Sequence, residues 1–528
     1  MTHRFDTTPR ADIPRSSFDR SHGYKTTFDA GYLVPFYADE ALPGDTFNLK
    51  MTAFARLATP IKPIMDNLFM ETFFFSVPVR QIWDNWEKFN GEQVNSTDST
   101  DFAVPAIDFT NNIQNGTIFD YMGLPTNMSD GSLLTVNALH FRAYNHIFNN
   151  WFRDQNLRQS TSLHTDDGPD PETSYTLLRR RKRPDYFTSC LPFPQKGEEV
   201  TIPIAGTAPV QGIGLEGTGV FEDTPVEVRE SGGIVRTYDP VRDFTTGPAW
   251  HMEGTSNQAG FPTLFANLED ATGVSINDLR QSFQIQKIFE RDARSGTRYP
   301  EILKAHFGVT DPQMLVLQRP EFLGGGSSRV NINPVQQMSE TDPSGPDASP
   351  QGNLAAFGTV TLSGHGFTKS FTEHCVLIGI VNVRADLTYQ QGLNRMWSRR
   401  TRFDYFWPAL QGIGEQAVQE GEIMAVGNVN LDQETFGYQE RYAEYRYKPS
   451  QITGKFRSND PATLDVWHLS QEFATRPSLD TIFIEDTPPL DRVIAVQDEP
   501  HFLFDSFINL RCARPMPLYG VPGMIDHF

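Results

Sequence analysis

The stretch Phe47-Asn48-Leu49-Lys50-Met51-Thr52-Ala53-Phe54-Ala55-Arg56-Leu57 alternates with a period of two. Phe47, Leu49, Met51, Ala53, Ala55 and Leu57 share one face, while Asn48, Lys50, Thr52 and Arg56 fall mostly on the other. Successive side chains of an extended chain point to opposite sides, so this pattern is a strand with one face buried. A second, Phe-rich strand follows over Phe69 to Val77. Much later, Val376 to Leu387 is apolar on both faces, which suits a strand covered on two sides. Phe502, Phe504, Ile508 and Leu510 then alternate again. Strands open the chain and strands close it.

Helices and long loops are expected between them. Pro78 fits the first turn of a short helix with Val79, Ile82, Trp83, Trp86 and Phe89 on one side. A longer helix is expected over Thr135 to Arg153, and Ser275 with Asp278 resembles a capping box opening a helix through Phe289. Glu301 to Phe307, stopped by Gly308, reads as another. No fixed-period repeat is present, which removes propellers and solenoids. The irregular stretches are too long for an orderly βαβ series. The expected class is mainly β, a β-sandwich or jelly roll with long inter-strand loops, several short helices and a surface insertion.

The first residues, 1–45, carry Pro9, Pro14, Pro35 and Pro43 without periodicity and are expected to be an extended arm. Residues 46–200 and 275–512 are assigned to the sandwich domain, and 513–528 to a C-terminal arm. Residues 201–274 are rich in Gly, Thr and Val and contain no Lys, which marks them as a separate insertion. Ser339 to Gly352, with three prolines, is expected to be a second loop.

The 528 residues would make three or four domains of ~150 residues, or one elaborated β-architecture. Lys plus Arg is 45 against 65 Asp plus Glu, a net charge of −20, which disfavours a chain whose main task is coating nucleic acid. Local basic patches stay open. Cys190, Cys375 and Cys512 are far apart and form no C-x-x-C, so a disulfide framework and a zinc finger are not expected and a reducing compartment is. No signal peptide is visible, and the apolar run Cys375 to Val381 is too short to span a bilayer. A soluble, non-secreted chain with no membrane insertion is expected.

The glycine motifs carry little chemistry. Gly212-Ile213-Gly214-Leu215-Glu216-Gly217 matches a dinucleotide fingerprint, but no helix starts after it. Gly412-Ile413-Gly414-Glu415-Gln416-Ala417 lacks a clear preceding strand, and Gly324-Gly325-Gly326 lacks the Lys of a phosphate loop. All three read as turn glycines. His164 to Asp170 could hold a hard cation through its carboxylates, although a solvated loop is the simpler reading. No catalytic constellation, cofactor motif or metal spacing stands out, so no enzyme is expected. The strongest charge cluster is Arg179, Arg180, Arg181, Lys182 and Arg183, followed by Tyr186 and Phe187. It could contact single-stranded DNA, or pair with the excess carboxylates of this chain at a subunit contact. A second basic and aromatic stretch runs from Arg395 through Trp397, Arg399, Arg400 and Arg402 to Trp407; it could contact single-stranded DNA, or its aromatics could be interface or core.

Many separate stretches resemble the gokushovirus major capsid proteins of the family Microviridae. The resemblance opens at Ser21 to Gly31 and Leu42 to Asp45. It continues through Pro63 to Leu68, Trp83 to Trp86, Arg142 to Tyr144, Trp151 to Asp154 and Asp185 to Ser189. Arg294 to Tyr299, His365 to Ser370, Arg384 to Leu393, Glu440 to Tyr447 and Tyr519 to Phe528 complete it. It covers nearly the whole chain, apart from about 201–274 and 335–355.

That resemblance implies a single viral eight-stranded jelly roll building a T=1 icosahedral capsid around circular single-stranded DNA, assembled in the host bacterial cytoplasm. The implied partners are further copies of the chain, an internal scaffolding protein, a small basic DNA-binding protein, the genome and a bacterial surface receptor. An insertion in such proteins clusters at the threefold axes and is thought to meet the host, and Ile202 to Val274 fits it in place and composition. A carbohydrate-binding or carbohydrate-hydrolysing β-sandwich is the alternative reading. It would require a concave aromatic site with a carboxylate pair.

Overall fold

In the computed structural model, Thr46–Leu57 is a strand whose burial alternates without interruption. Its six inward residues, Phe47 to Leu57, are each at most 5% exposed. The structure describes residues 13–128, 134–197, 276–310, 318–340 and 350–519, with the backbone of short strands between 210 and 266. The principal strands are β1 (Ser16–Asp19), β2 (His22–Phe28), β3 (Val34–Ala41), β4 (Thr46–Leu57) and β5 (Leu68–Pro78). They are completed by β6 (Glu321–Arg329), β7 (Asn331–Gln336), β8 (Leu354–Ser370), β9 (Cys375–Ala385) and β10 (Phe502–Arg514).

These strands form two antiparallel sheets, in keeping with the expected jelly roll. In the first, β10 lies between β4 and the pair β1 and β2, and β8 and β7 follow on the other side of β4. The second runs β6-β5-β9-β3. Leu49 faces Leu510, and Met51 faces Ile508, so the buried positions of β4 and β10 point the same way. They meet Phe36, Met70, Phe74 and Val381 of the second sheet in one core. Burial of this kind stabilises by roughly 25 cal/mol per Å² of apolar surface.

The second sheet is covered on its other face too. Phe75, Val376, Ile378 and Ile380 enter a second cluster with Trp83, Phe141, Tyr144 and Phe148, built by α1 (Leu139–Ile147) and the loops around it. Every residue of β9 except Arg384 is therefore buried, which explains its two-sided apolar sequence. The outward face of the first sheet has no such cover among the described residues. A third cluster gathers Tyr186, Phe187, Tyr389, Val418, Phe436 and Phe483 from distant loops. Cys190, Cys375 and Cys512 are buried and free. No helix among the described residues is long and apolar enough to cross a membrane.

Several expectations need correction. Residues 16–41, expected within an arm, form three paired strands. Their prolines hid this, because Pro35 sits in the edge strand β3, where a missing N–H is tolerated. On the C-terminal side β10 reaches Arg514, past the expected boundary. The expected helix over 135–153 is shorter. Thr135–Asn137 pairs with Ala106–Asp108 as strands, and the final turn Phe148–Phe152 widens so that the Arg153 N–H reaches the Phe148 carbonyl. The helix after Pro78 breaks into Val79–Gln81 and Trp86–Phe89, since Asp167 accepts hydrogen bonds from the Trp83 indole at 2.7 Å and the Asn85 amide at 3.0 Å.

Gly324, Gly325 and Gly326 are not turn glycines but lie inside β6. A Cβ on Gly325 would stand 2.0 Å from the Thr72 carbonyl oxygen, so only glycine lets β6 approach β5 this closely. The acidic loop is tied to α1, where the fully buried Arg142 grips Asp170 through Nε at 2.7 Å and Nη2 at 2.6 Å. His164, Asp166 and Asp170 do lie within 4.8 Å of one another, but the charge of Asp170 is already answered by Arg142.

Residues 195–294 form a compact unit of their own, including all but the last residue of α2 (Ile276–Ser295) and the hairpin strands Val226–Arg229 and Val235–Tyr238. α2 outruns its expected end at Phe289 because no breaker precedes Gly296. The expected insertion at 201–274, apart from the backbone of its short strands, lies outside the described residues, as do most of Gly212 to Gly217 and residues 341–349.

His146 of α1 is buried, with Nε2 3.2 Å from Gln81 Oε1, and burial pulls its pKa down to about 4. The unfolded imidazole takes a proton below about pH 6.5 while the folded one resists it. Its contribution to stability is thus full above pH 6.5 and lost as pH falls through 4, on the order of 3 kcal/mol in all. Urea denaturation at several pH values should show a His146→Gln variant losing less stability than the parent over that window. Parallel curves would refute it.

Candidate functional site

Residues 178–182 run extended between two other segments. Leu33 N–H donates to the Leu178 carbonyl, Arg180 N–H to Gly31, Lys182 N–H to Ile484, and Asp486 N–H to Arg180. Along this run the five cations are taken up by several different partners. Arg179 stacks on the Tyr32 ring at 3.9 Å. Arg180 pairs with Glu71, donates to Asn382 Oδ1 at 3.2 Å and lies 4.7 Å over the Phe73 ring. Arg181 donates to the Thr188 carbonyl at 2.7 Å and pairs with Asp154 at 2.8 Å. Lys182 is buried, and its Nζ donates to the Phe483 carbonyl at 2.7 Å. Arg183 pairs with Asp386 at 3.0 Å and Glu71 at 3.3 Å.

Glu71 organises this cluster. It interrupts the apolar run of β5, and Arg180, Arg183 and, at 2.8 Å, Arg384 of β9 converge on it. Burial alone would raise its pKa, but the Arg180 and Arg384 guanidiniums outweigh that and hold it below the usual carboxylate range. Burial lowers Arg180 to about 10, with Arg384 adding like-charge repulsion. Asp486 shows the opposite balance: its carboxyl is so buried that it rises to about 7, although Arg384, Lys182, Arg180 and Arg179 all pull it down.

Beside the cluster opens a cleft of about 380 Å³. Phe73, Phe75, Trp151, Phe152 and Phe322 form its aromatic wall, and Arg153, Arg180, Arg181, Lys182 and Arg384 border it. The buried Nε atoms of Arg153, Arg181 and Arg384 have no hydrogen-bond partner among the described residues. Sequence reading found only the consecutive cations. Glu71, Trp151, Phe322 and Arg384 stand far apart in the chain, and no local pattern announces that they meet.

The second stretch lies elsewhere, on three short turns, Arg395–Trp397, Arg402–Asp404 and Pro408–Leu410. Arg395 pairs with Glu422 at 3.0 Å, and Arg399 with Glu444 at 3.4 Å while covering the Tyr445 ring at 4.1 Å. Arg402 lies 4.6 Å over the Trp407 ring, and Arg400 is exposed. Trp397 is 71% exposed and Phe403 59%, with Tyr405 and Phe406 also open to solvent. The two basic stretches therefore differ. The first is largely consumed by its own chain, and the second presents aromatic surface.

Replacing Glu71 with Gln should leave three buried or half-buried guanidiniums without their shared anion. A loss of about 3–5 kcal/mol is expected in chemical denaturation. Pairing Glu71→Gln with Arg384→Met should restore part of it, and a single variant as stable as the parent would refute the role of the carboxylate.

A family described as capsid protein (F protein) matches residues 7–524. Capsid protein VP1 of Bdellovibrio phage phiMH2K is 45% identical, covering 100% of this chain and 98% of that protein. Capsid protein VP1 of Chlamydia phage 1 is 43% identical over 99% of this chain and 98% of its own length. Capsid protein VP1 of Spiroplasma virus 4 is 36% identical over 99% and 97% respectively.

Proposed function

This chain belongs to the capsid protein (F protein) family, and from that premise we propose that it self-assembles into a T=1 icosahedral shell enclosing circular single-stranded DNA and carrying a host-attachment protrusion. As a capsid protein it is a virion component and a structural protein. The observation that carries the shell reading is the surface around residues 393–413. Trp397, Phe403, Tyr405, Phe406 and Ile413 are each at least 44% exposed. Large apolar groups clustered with arginines are the composition of interface cores, where rings are desolvated and guanidiniums bridge to the partner. A second copy, whose chain carries a net charge of −20, suits the arginines of this surface.

The same negative charge bears on packaging. The shell needs a small basic DNA-binding protein or cations to neutralise the genome, leaving this chain to supply local contacts. An internal scaffolding protein would organise the loops during assembly. For the 179–183 cluster, the reading that its cations pair with carboxylates is favoured, and those carboxylates belong to the same subunit. Any genome contact there falls to the groups bordering the cleft. Residues 202–274 belong to a separately compact unit, which supports their reading as an appended, receptor-facing protrusion.

Two outcomes test this reading. Trp397→Ser with Phe403→Ser should leave circular dichroism unchanged but lower the yield of icosahedral particles at least ~10-fold on co-expression with the scaffold, as loss of interface aromatics requires. Unchanged particle yield, seen by cryo-electron microscopy, would overturn the interface. Excision of 202–274, bridged by a short Gly/Ser linker, should preserve particles while abolishing attachment to host cells. Insoluble subunits would place the segment in the core, and normal attachment would move host recognition elsewhere.

A further inference from the structure

We propose that the uncovered face of the first sheet is a binding platform for single-stranded nucleic acid, an inference that rests on the reading of this chain as a shell around ssDNA. The two sheets are unequally dressed. The central strands of the second, β5 and β9, are buried on both faces, whereas the outward side chains of β4, β8 and β10 are mostly exposed. A solvated sheet face should carry polar residues, yet Phe54, Leu503 and Phe507 project from this one at 50%, 55% and 53% exposure.

Their arrangement follows from the register. Phe507 lies opposite Thr52, Asp505 opposite Phe54, and Leu503 opposite Arg56. Phe507, Phe54 and Leu503 are thus successive diagonal neighbours, roughly 7 Å apart. On its own strand each is flanked by polar side chains, Thr52 and Arg56 beside Phe54, Asp505 and Asn509 beside Phe507, and Asp505 beside Leu503. Hydroxyls and amides stand between and around them, among them Thr52, Thr361, Ser363 and Asn509. Separate rings set among small hydrogen-bonding groups match bases that stack singly, and match poorly the continuous apolar centre of a protein interface.

Charge selects the same occupant. The outward positions of β1, β2, β4 and β10 carry four cations, Lys25, Lys50, Arg56 and Arg511, against two carboxylates, Asp19 and Asp505. Lys25 pairs with Asp505 at 3.6 Å, and Arg511 stands opposite Asp19 in the register. Lys50 and Arg56, exposed at either side of Phe54, have no ion pair among the described residues. On a chain with a net charge of −20, this face is locally positive. Two free cations flanking a ring can take backbone phosphates while the ring takes a base.

The test is fluorescence anisotropy of the full-length protein with a dye-labelled oligothymidine of about 20 nucleotides, over about 50 to 300 mM NaCl. Phe54→Ser with Phe507→Ser should weaken binding at least ~10-fold. Lys50→Gln with Arg56→Gln should flatten the slope of log affinity against log salt by about 1.4. The second pair carries the test should the serines disturb folding. Parental affinity and slope in both variants, with the parent binding, would overturn the platform and leave genome enclosure standing. A parent that binds no oligonucleotide, with particles that hold no DNA, would overturn enclosure as well. Serine variants that bind normally but fail to assemble would give the face to a second copy and overturn the proposal.

Discussion

One carboxylate holds three parts of this molecule together. Glu71 stands in the middle of β5, and the guanidiniums of Arg180, Arg183 and Arg384 all reach it. A lone buried anion would be costly, and so would three neighbouring cations without one. Together they fix where residues 178–183 cross the second sheet, and that crossing seats Tyr186 and Phe187 in the third cluster. The aromatic cleft beside Arg180 exists because the same crossing carries basic side chains past Phe73 and Phe152.

The sheets were legible in the sequence wherever one physical rule acted alone. β4 alternates because one face is wet, and β9 is apolar throughout because neither face is. Legibility failed where tertiary partners overrode local pattern. β3 looked like part of an arm since Pro35 breaks its signal, and β6 was missed because three glycines, needed for contact with β5 and β8, resemble a turn. Of the candidate site, the cations of 179–183 were visible as a run. Their anions were not, because Asp154, Glu71 and Asp386 lie 27, 109 and 203 residues from the arginines they pair with, and no local spacing rule links them.

The unequal covering of the two sheets gives the subunit a direction. Helix α1 and the loops that build the second core add thickness on one side, while among the described residues the other side is a bare pleated surface. A shell-forming subunit needs such a difference, since its two faces meet different surroundings. The exposed aromatic turns at 395–410 lie on neither sheet, so lateral contacts and facial contacts can use separate residues.

The position of β10 has a consequence for how the protein is made. Residues 502–514 lie between β4 and the strands β1 and β2, so the earliest strands wait for one of the last. At about 5–20 residues per second, a ribosome leaves β4 without that neighbour for tens of seconds. Throughout translation its open backbone edge can pair with any other nascent chain on the same message. The first sheet can close only once residues 502–514 have been made, so a partly synthesised chain exposes the edge of β4 that the finished fold covers.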